Sequence, residues 1–149
     1  MSLRLLCAAT LAMAIASPVL AADAAKPAAK PAYLIVDHSV EAVMDKATAM
    51  AVWDSKFDDK LELRLKKLYP VMKWGFISQV EGGFTADKTC VVTARATMVP
   101  RAIKVLKFVP TKGATTFDAK TGLDQAGCKA LAKAKLEEAI DSMTSSLVK

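Results

Sequence analysis

The sequence predicts an α+β domain with two N-terminal helices, an antiparallel sheet of three or four strands, and a long C-terminal helix packed on that sheet. Three observations support this prediction. Apolar residues recur at spacings of three and four towards both ends of the chain, which is typical of amphipathic helices. Between them, residues 74–98 alternate apolar and polar side chains around the Gly82-Gly83 pair, which is typical of a hairpin. A cysteine lies in the hairpin and another in the last predicted helix.

The first 21 residues show the three parts of a secretory signal peptide. Arg4 precedes an uncharged apolar run over residues 5–16, and Ala21 ends a stretch that a signal peptidase would cut. The run is shorter than the roughly 20 residues that span a bilayer. We therefore assign residues 1–21 to a signal peptide, with cleavage after Ala24 as the alternative. The protein is expected to be periplasmic or secreted.

Residues 22–32, with the sequence ADAAKPAAKPA, have nothing to bury and are predicted to form an extended spacer. Residues 33–149 are then a single domain. The 149-residue chain has a net charge of +6, and removal of residues 1–21 takes away one arginine and no acid. The moderate positive charge suits a soluble surface, and an exported protein rarely meets nucleic acid, so no nucleic-acid partner is expected. No segment after residue 21 is long and apolar enough to cross a membrane.

The first helix is expected to begin at Ser39, whose hydroxyl suits an N-cap. Val40, Val43 and Met44 begin an apolar face at helical spacing. The preceding apolar run, residues 33–36, is either a strand or an anchoring segment.

The second helix is predicted over a segment that has two interpretations. Residues 60–66 alternate as a half-buried strand would. However, Ser55 with Asp58 resembles a capping box, and Pro70 supplies a stop. No β-branched residue occurs between positions 57 and 69, so the helix is favoured.

After Pro70 the pattern becomes that of strands. Residues 74–81 and 90–98 form the hairpin, and residues 103–109 are expected to form a third strand. The lysines in residues 101–109 interrupt the alternation, so a short helix starting at Pro100 remains an alternative. Residues 115–117 suit a fourth short strand. Thr121 is expected to cap the last helix, over about residues 123–147.

Cys90 and Cys128 are predicted to form a structural disulfide. Side chains two apart share a face of a strand, so Cys90 lies on the apolar face of residues 90–98. Helical spacing places Cys128 on the apolar face of the last helix. A helix packed on the sheet brings the two together, and an exported protein meets an oxidising compartment. The spacing does not fit a Cys-x-x-Cys redox pair, and two cysteines with a distant histidine are too few for a thiolate metal site.

Chemistry that needs a catalytic constellation is not visible in the sequence. His38 is the only histidine, and its neighbours Asp37 and Ser39 are too close in sequence to converge with it as a triad. No nucleophile elbow, zinc-protease motif, phosphate-binding glycine loop or calcium loop occurs. We expect no catalytic residue, no cofactor and no metal site, and we expect the protein not to be an enzyme.

The most distinctive polar feature is a set of basic residues around the predicted third strand. If that strand lies beside the hairpin, several of them share an exposed sheet face suited to an acidic partner. The set consists of Arg95, Arg101, Lys104, Lys107 and Lys112.

KTC at the start of a strand, followed by CKALAKAKL in a helix, resembles the C-terminal domain of TolA and, more loosely, that of TonB. The resemblance covers residues 87–136. It implies a small periplasmic α+β module that binds partner proteins and carries a strand-to-helix disulfide. The chain departs from the family in its longer intervening segment, in lacking an obvious strand after the last helix, and in lacking a membrane anchor and a helical stalk. No binding residue is transferred.

The function predicted from these features is that of an exported, non-enzymatic binding domain. Its partner is another component of the cell envelope, a protein or an anionic component. One alternative is an inhibitor or immunity-type protein that places a basic loop from residues 101–112 in the acidic cleft of a secreted enzyme. Another is a carrier of a small ligand or lipid, with a cavity lined by Trp53, Trp74 and Phe76. The sequence does not indicate the oligomeric state.

Overall fold

The computed structural model describes residues 32–149. The predicted signal peptide, residues 1–21, and nearly all of the predicted spacer lie outside this range. The described elements are β1 (Leu34–Asp37), α1 (Lys46–Lys56), α2 (Asp59–Leu68), β2 (Trp74–Phe84), β3 (Cys90–Ala102), β4 (Val105–Leu106), β5 (Lys112–Lys120) and α3 (Gln125–Leu147). Within this range, no helix combines the length and the apolar character needed to cross a bilayer.

The elements form a mixed α+β fold with a curled five-stranded sheet. β1 pairs with β2, β2 with β3, and β3 with both β5 and the short β4. The β2–β3 hairpin is antiparallel, as predicted, with Phe76 opposite Met98 and Phe84 opposite Cys90. β5 is also antiparallel to β3.

The prediction of two helices ahead of the sheet is wrong, because β1 precedes them. The apolar run at residues 33–36 is a strand, parallel to β2, with Leu34 opposite Gly75. Parallel strands require a crossover connection, and α1 with α2 forms it. The sheet is therefore not wholly antiparallel.

The helices begin at residues other than those predicted. Asp45, not Ser39, is the N-cap of α1, and its carboxylate accepts a 2.8 Å hydrogen bond from the backbone N–H of Thr48. Asp58 itself caps α2, which confirms a helix rather than a strand over residues 60–66. Asp124, not Thr121, caps α3. In each case a carboxylate satisfies a backbone N–H of the first turn that has no partner inside the helix.

Residues 103–109 do not form the predicted third strand. Only Val105–Leu106 pairs, as β4, with the end of β3. The predicted alternative, a short helix starting at Pro100, is not formed either, since β3 continues through this proline to Ala102. The hairpin hydrogen bonding ends with the backbone N–H of Lys107, which donates to the carbonyl of Pro100 at 2.8 Å. The predicted fourth strand is present and longer than expected, as β5.

α1 and α3 pack on one face of the sheet, and α2 adds the buried Leu65 to the same core. Residues of β3 on that face, from Cys90 to Met98 at alternate positions, are almost fully buried, and so is the apolar face of α3. An aromatic cluster of Tyr33, Trp53, Phe57 and Phe76, with ring centroids 5.0–6.1 Å apart, fills the space under α1.

The predicted disulfide is present. Cys90 and Cys128 join β3 to α3, and both residues are fully buried. Strand parity and helical spacing were sufficient to predict this pairing, because each depends only on local periodicity.

Candidate functional site

The face of the sheet opposite the helices is the candidate site, and we call it the open face. Because side chains alternate along a strand, Arg95 points away from the core that Ala94 and Ala96 enter. In the sheet, Arg95 lies between Gln79 on β2 and Thr115 on β5. None of the three described helices lies on this side.

The open face has a covered half and a bare half. Residues 103–109, which we call the arm, leave the end of β3 and fold back over the sheet. Beneath this region Ile77 is 6% exposed and Val99 is 0% exposed, although both point away from the helices. Beyond the arm the sheet is uncovered, and Phe117 is 63% exposed. We call the uncovered part the bare face, comprising Gln79, Glu81, Thr93, Arg95, Thr115 and Phe117.

Arg95 is the central cation of the bare face. Its Nε donates a 3.3 Å hydrogen bond to Thr115 Oγ1, which orients the guanidinium along the sheet. Glu81 lies on the neighbouring strand, but within residues 32–149 Arg95 forms no ion pair with it or with any other acid. The remaining donors of an exposed arginine are therefore available to a carboxylate, which a guanidinium binds with two parallel hydrogen bonds.

A groove of about 270 Å³ runs from Arg95 to the arm. Phe108 and Pro110 form its apolar side, while Thr97 and Thr115 contribute hydroxyls. The groove is therefore lined by two basic residues, three threonines and one aromatic ring. Of these, arginine and aromatic side chains are enriched in protein interfaces.

The arm carries large apolar side chains that the core does not use. The exposed fraction is 76% for Ile103, 65% for Val105, 67% for Phe108 and 61% for Val109. Leu106 points the other way, onto the sheet. A second groove, of about 320 Å³, separates the arm from Leu34, Val36 and Ile77.

The structure distributes the predicted basic residues over different surfaces. Arg95 lies on the bare face, and Lys104 and Lys107 are exposed on the arm. Arg101 is held inside the arm's base, where its Nε donates to the carbonyl of Ile103 at 2.6 Å and its Nη1 to the carbonyl of Val71 at 3.0 Å.

Lys112 lies on the helix side of the sheet. Its Nζ donates to the carbonyl of Ser146 at 3.0 Å, near the C-terminal end of α3. That carbonyl belongs to the last turn of the helix, where cations are favoured. The Lys112 side chain therefore stabilises the packing of α3 and leaves the sheet on the side opposite Arg95, although Lys112 also borders the groove at the edge of β5.

The aromatic residues proposed for a carrier cavity do not line a common space. Trp53 and Phe76 are fully buried and pack with ring centroids 5.4 Å apart. Trp74 instead packs edge-on against Tyr69, at 5.9 Å. The Trp53 indole donates a 3.0 Å hydrogen bond to Ser78 Oγ, and Ser78 donates to Asp37 Oδ1 at 2.6 Å.

Sequence reasoning missed the apolar surface of the arm and Phe117. The available signal was a bulky apolar run interrupted by lysines and bracketed by Pro100 and Pro110. Prolines at both ends shorten the pairing of such a run, and Lys104 and Lys107 disfavour its complete burial. His38 is exposed beside the second groove. Within residues 32–149, no group of three or more His, Cys, Asp or Glu side chains is arranged to hold a metal ion.

Comparison with known proteins finds few similarities. No family model matches the chain, and no curated protein matches it. Among solved structures, the PelC dodecamer from Paraburkholderia phytofirmans is similar over 75% of this chain and 86% of its own, with 10% sequence identity and a TM-score of 0.38. At that TM-score the likeness supports no conclusion about function. The resemblance to TolA stays an expectation drawn from the sequence.

Proposed function

We propose that the protein is an exported, non-enzymatic binding domain, and that a protein of the cell envelope docks on its bare face. The observation that carries the proposal is that exposed Arg95 and exposed Phe117 lie diagonally across β3 and β5, on a sheet surface that no described helix covers. Arginine and aromatic side chains are the residues that most often dominate interface energetics. A partner with a carboxylate and an apolar side chain a few ångströms apart fits this surface.

The unpaired Arg95 at the centre of the bare face favours a partner that places a carboxylate there. Arg95 is unpaired within residues 32–149, and the sequence contains no acid between Asp87 and Asp118. Glu81, at the edge of the face, then limits the orientations in which an acidic segment approaches. Such a charge pattern contributes to specificity and association rate more than to affinity.

Export is supported by the disulfide together with the signal-peptide pattern. Disulfides form and persist in oxidising compartments and are rare in the cytosol. The Cys90–Cys128 bond joins two elements of the core, so it belongs to the folded state. A periplasmic or secreted location follows as part of the proposal.

The inhibitor alternative has one observation in its favour, the exposed and basic arm. An arm with Lys104 and Lys107 and without an acid is suited to an acidic cleft. The carrier alternative lacks comparable support, because Trp53 and Phe76 pack against each other in the core.

Site-specific photo-crosslinking tests the proposal. We would replace Phe117 with a benzophenone-bearing phenylalanine and irradiate whole cells. The matched control places the same group at Lys133, which is exposed on α3. We expect a discrete crosslinked protein from position 117 only, lost when Arg95→Glu is added and retained with Lys129→Glu. Crosslinks of equal yield from both positions, or none from position 117, would overturn the proposal.

A further inference from the structure

We infer that the arm, residues 103–109, is a second binding element that inserts into an anionic lipid surface. This goes beyond the proposed function, since it uses a different part of the molecule from the bare face. Three features carry it: the backbone conformation of Ile103, the exposed apolar side chains, and the lysines between them.

Ile103 occupies a backbone conformation that its side chain disfavours. It forms the tip of the β3–β4 hairpin with Lys104, and its φ of 57° lies in the left-handed region. Glycine and asparagine adopt this region readily, whereas a β-branched residue there is a rare outlier that costs stability. Packing of the Ile103 side chain does not offset this cost, because the side chain is 76% exposed. An isoleucine at this position is explained by a contact outside the described chain.

The other apolar side chains extend this contact along the arm. Val105, Phe108 and Val109 are each more than 60% exposed, and with Ile103 they form a run of bulky groups that no described element covers. Several large exposed apolar side chains on one short segment are typical of interaction or membrane-binding sites.

The charges of the arm match an anionic surface. Lys104 follows Ile103 directly, Lys107 precedes Phe108, and the arm has no acid. Lysine stems run along apolar surroundings while the ammonium reaches the polar boundary, so these lysines reach headgroups while their apolar neighbours are immersed. Basic residues next to such a boundary are attracted by anionic lipids.

A bilayer fits this arrangement better than a second copy of the chain does. In a two-fold dimer the same patch meets itself, so Lys104 and Lys107 of both arms would be brought together and would repel. A bilayer accepts apolar side chains from every side of a hairpin tip without a preformed pocket for each.

The arm is also held in place before it binds. Arg101 bridges the carbonyls of Ile103 and Val71, and Leu106 rests on the backbone of Gly75. A preorganised element loses less conformational entropy on binding.

Vesicle co-sedimentation tests the inference with protein purified from cells that express the full 149-residue chain. Vesicles of phosphatidylglycerol mixed with phosphatidylcholine are compared with vesicles of phosphatidylcholine alone. We expect binding to the anionic vesicles that decreases with salt. Lys104→Gln with Lys107→Gln should weaken it by about tenfold or more, while Lys129→Gln with Lys133→Gln on α3 should weaken it less.

Ile103→Asn separates binding from folding. Asparagine tolerates the left-handed conformation, so we expect this variant to unfold at higher urea concentration than the wild type and to bind anionic vesicles several-fold more weakly. Phe108→Ser should also weaken binding. The matched control, Leu63→Ser, removes an apolar side chain that is 61% exposed on α2 and should bind as the wild type does.

Three outcomes would overturn the inference. The first is the absence of binding to anionic vesicles, or binding that the arm variants leave unchanged. The second is a dimer in sedimentation velocity that Ile103→Asn dissociates, which would assign the arm to a second copy. The third is crosslinking from position 108 to an acidic protein without vesicle binding, which would assign the arm to a protein cleft.

Discussion

Leu106 packs against the backbone of Gly75, and this contact holds the arm on the sheet. A Cβ atom on Gly75 would lie 2.5 Å from Leu106 Cδ2 and 2.6 Å from the carbonyl oxygen of Leu34. Both distances are far below van der Waals contact. The glycine thus lets β1 and the arm approach the same point of β2 from different directions.

Gly75→Ala is therefore expected to destabilise the protein by about 2 kcal/mol, the typical cost of overpacking a filled site. It should also loosen the arm, because Leu106 is more easily displaced than the backbone of Leu34. Urea unfolding measures the loss of stability, and hydrogen exchange of residues 103–109 measures the loosening of the arm.

The Leu106→Ala variant and the double variant complete a cycle with Gly75→Ala. Removing Leu106 relieves one of the two clashes, so the double variant should lose less stability than the sum of the single changes. If the stability losses of the two single variants were strictly additive, Leu106 would not limit the space for a side chain at position 75.

Loss of the Cys90–Cys128 bond is expected to lower the free energy of unfolding by roughly 4 kcal/mol, since the bond closes a 38-residue separation that is open in the reduced unfolded chain. Cys90→Ala with Cys128→Ala should show this loss in urea unfolding. The wild type should show a similar loss with reductant during unfolding, and the double variant should not respond to reductant. A wild type without any response to reductant would contradict the disulfide.

The parts of the fold that follow from local periodicity could be predicted from the sequence. The inward direction of Cys90 depends only on strand alternation, and that of Cys128 only on helical spacing. The helix over residues 60–66 could be predicted from the stop at Pro70 and from the absence of β-branched residues, although its N-cap is Asp58 and not Ser55. None of these features needs information about distant contacts.

The parts that depend on tertiary pairing could not be predicted. β1 is only four residues long, and its parallel direction is set by its pairing with β2, in which Leu34 lies opposite Gly75. No local pattern in residues 34–37 indicates that direction. The face of the sheet on which Lys112 lies is set by its pairing opposite Met98. The alternation of side chains along β3 cannot be extended to β5, because the arm interrupts it. The left-handed conformation of Ile103 also has no local signal, because isoleucine is a residue that sequence patterns would exclude there.

Ser78→Ala is expected to destabilise the core by about 1–3 kcal/mol, the cost of leaving a buried donor without its acceptor. Ser78 is fully buried, accepts the indole N–H of Trp53 and donates to Asp37. Equilibrium urea unfolding measures the loss. The control is Ser142→Ala, an exposed position on α3, where a change below about 0.5 kcal/mol is expected. Equal effects at the two positions would contradict the role assigned to the network.

Ionisation of Tyr33 should make the free energy of unfolding decrease with pH in the alkaline range. Burial, with a smaller contribution from the charge of Glu62, raises the pKa of Tyr33 from 10.0 to about 12. The folded state therefore favours the protonated phenol. The stabilisation is fully present below pH 10 and is lost as the pH rises from 10 to 12.

The Tyr33→Phe variant isolates this effect. It loses the 2.6 Å hydrogen bond that the hydroxyl donates to the carbonyl of Tyr69, so it should be less stable than the wild type at neutral pH. The difference between the two proteins should narrow as the pH rises from 10 to 12, measured by urea unfolding at each pH. Lysine titration affects both proteins alike. A difference that stays constant across this range would contradict the raised pKa.

Arg101→Lys is expected to release the arm with little effect on the rest of the fold. The planar guanidinium reaches two carbonyls at once, those of Ile103 and Val71, and a single ammonium group cannot reproduce that geometry. Hydrogen exchange should become faster in residues 101–109 and remain unchanged in α3.

Arg64→Lys is the matched control, because Arg64 also donates to a backbone carbonyl, that of Val148 at 2.9 Å, but lies on α2. It should leave exchange in the arm unchanged. If Arg101→Lys also leaves it unchanged, the packing of Leu106 on Gly75 is sufficient to hold the arm. Preorganisation by Arg101 would then contribute nothing to lipid binding, and Arg101→Lys should bind anionic vesicles as the wild type does.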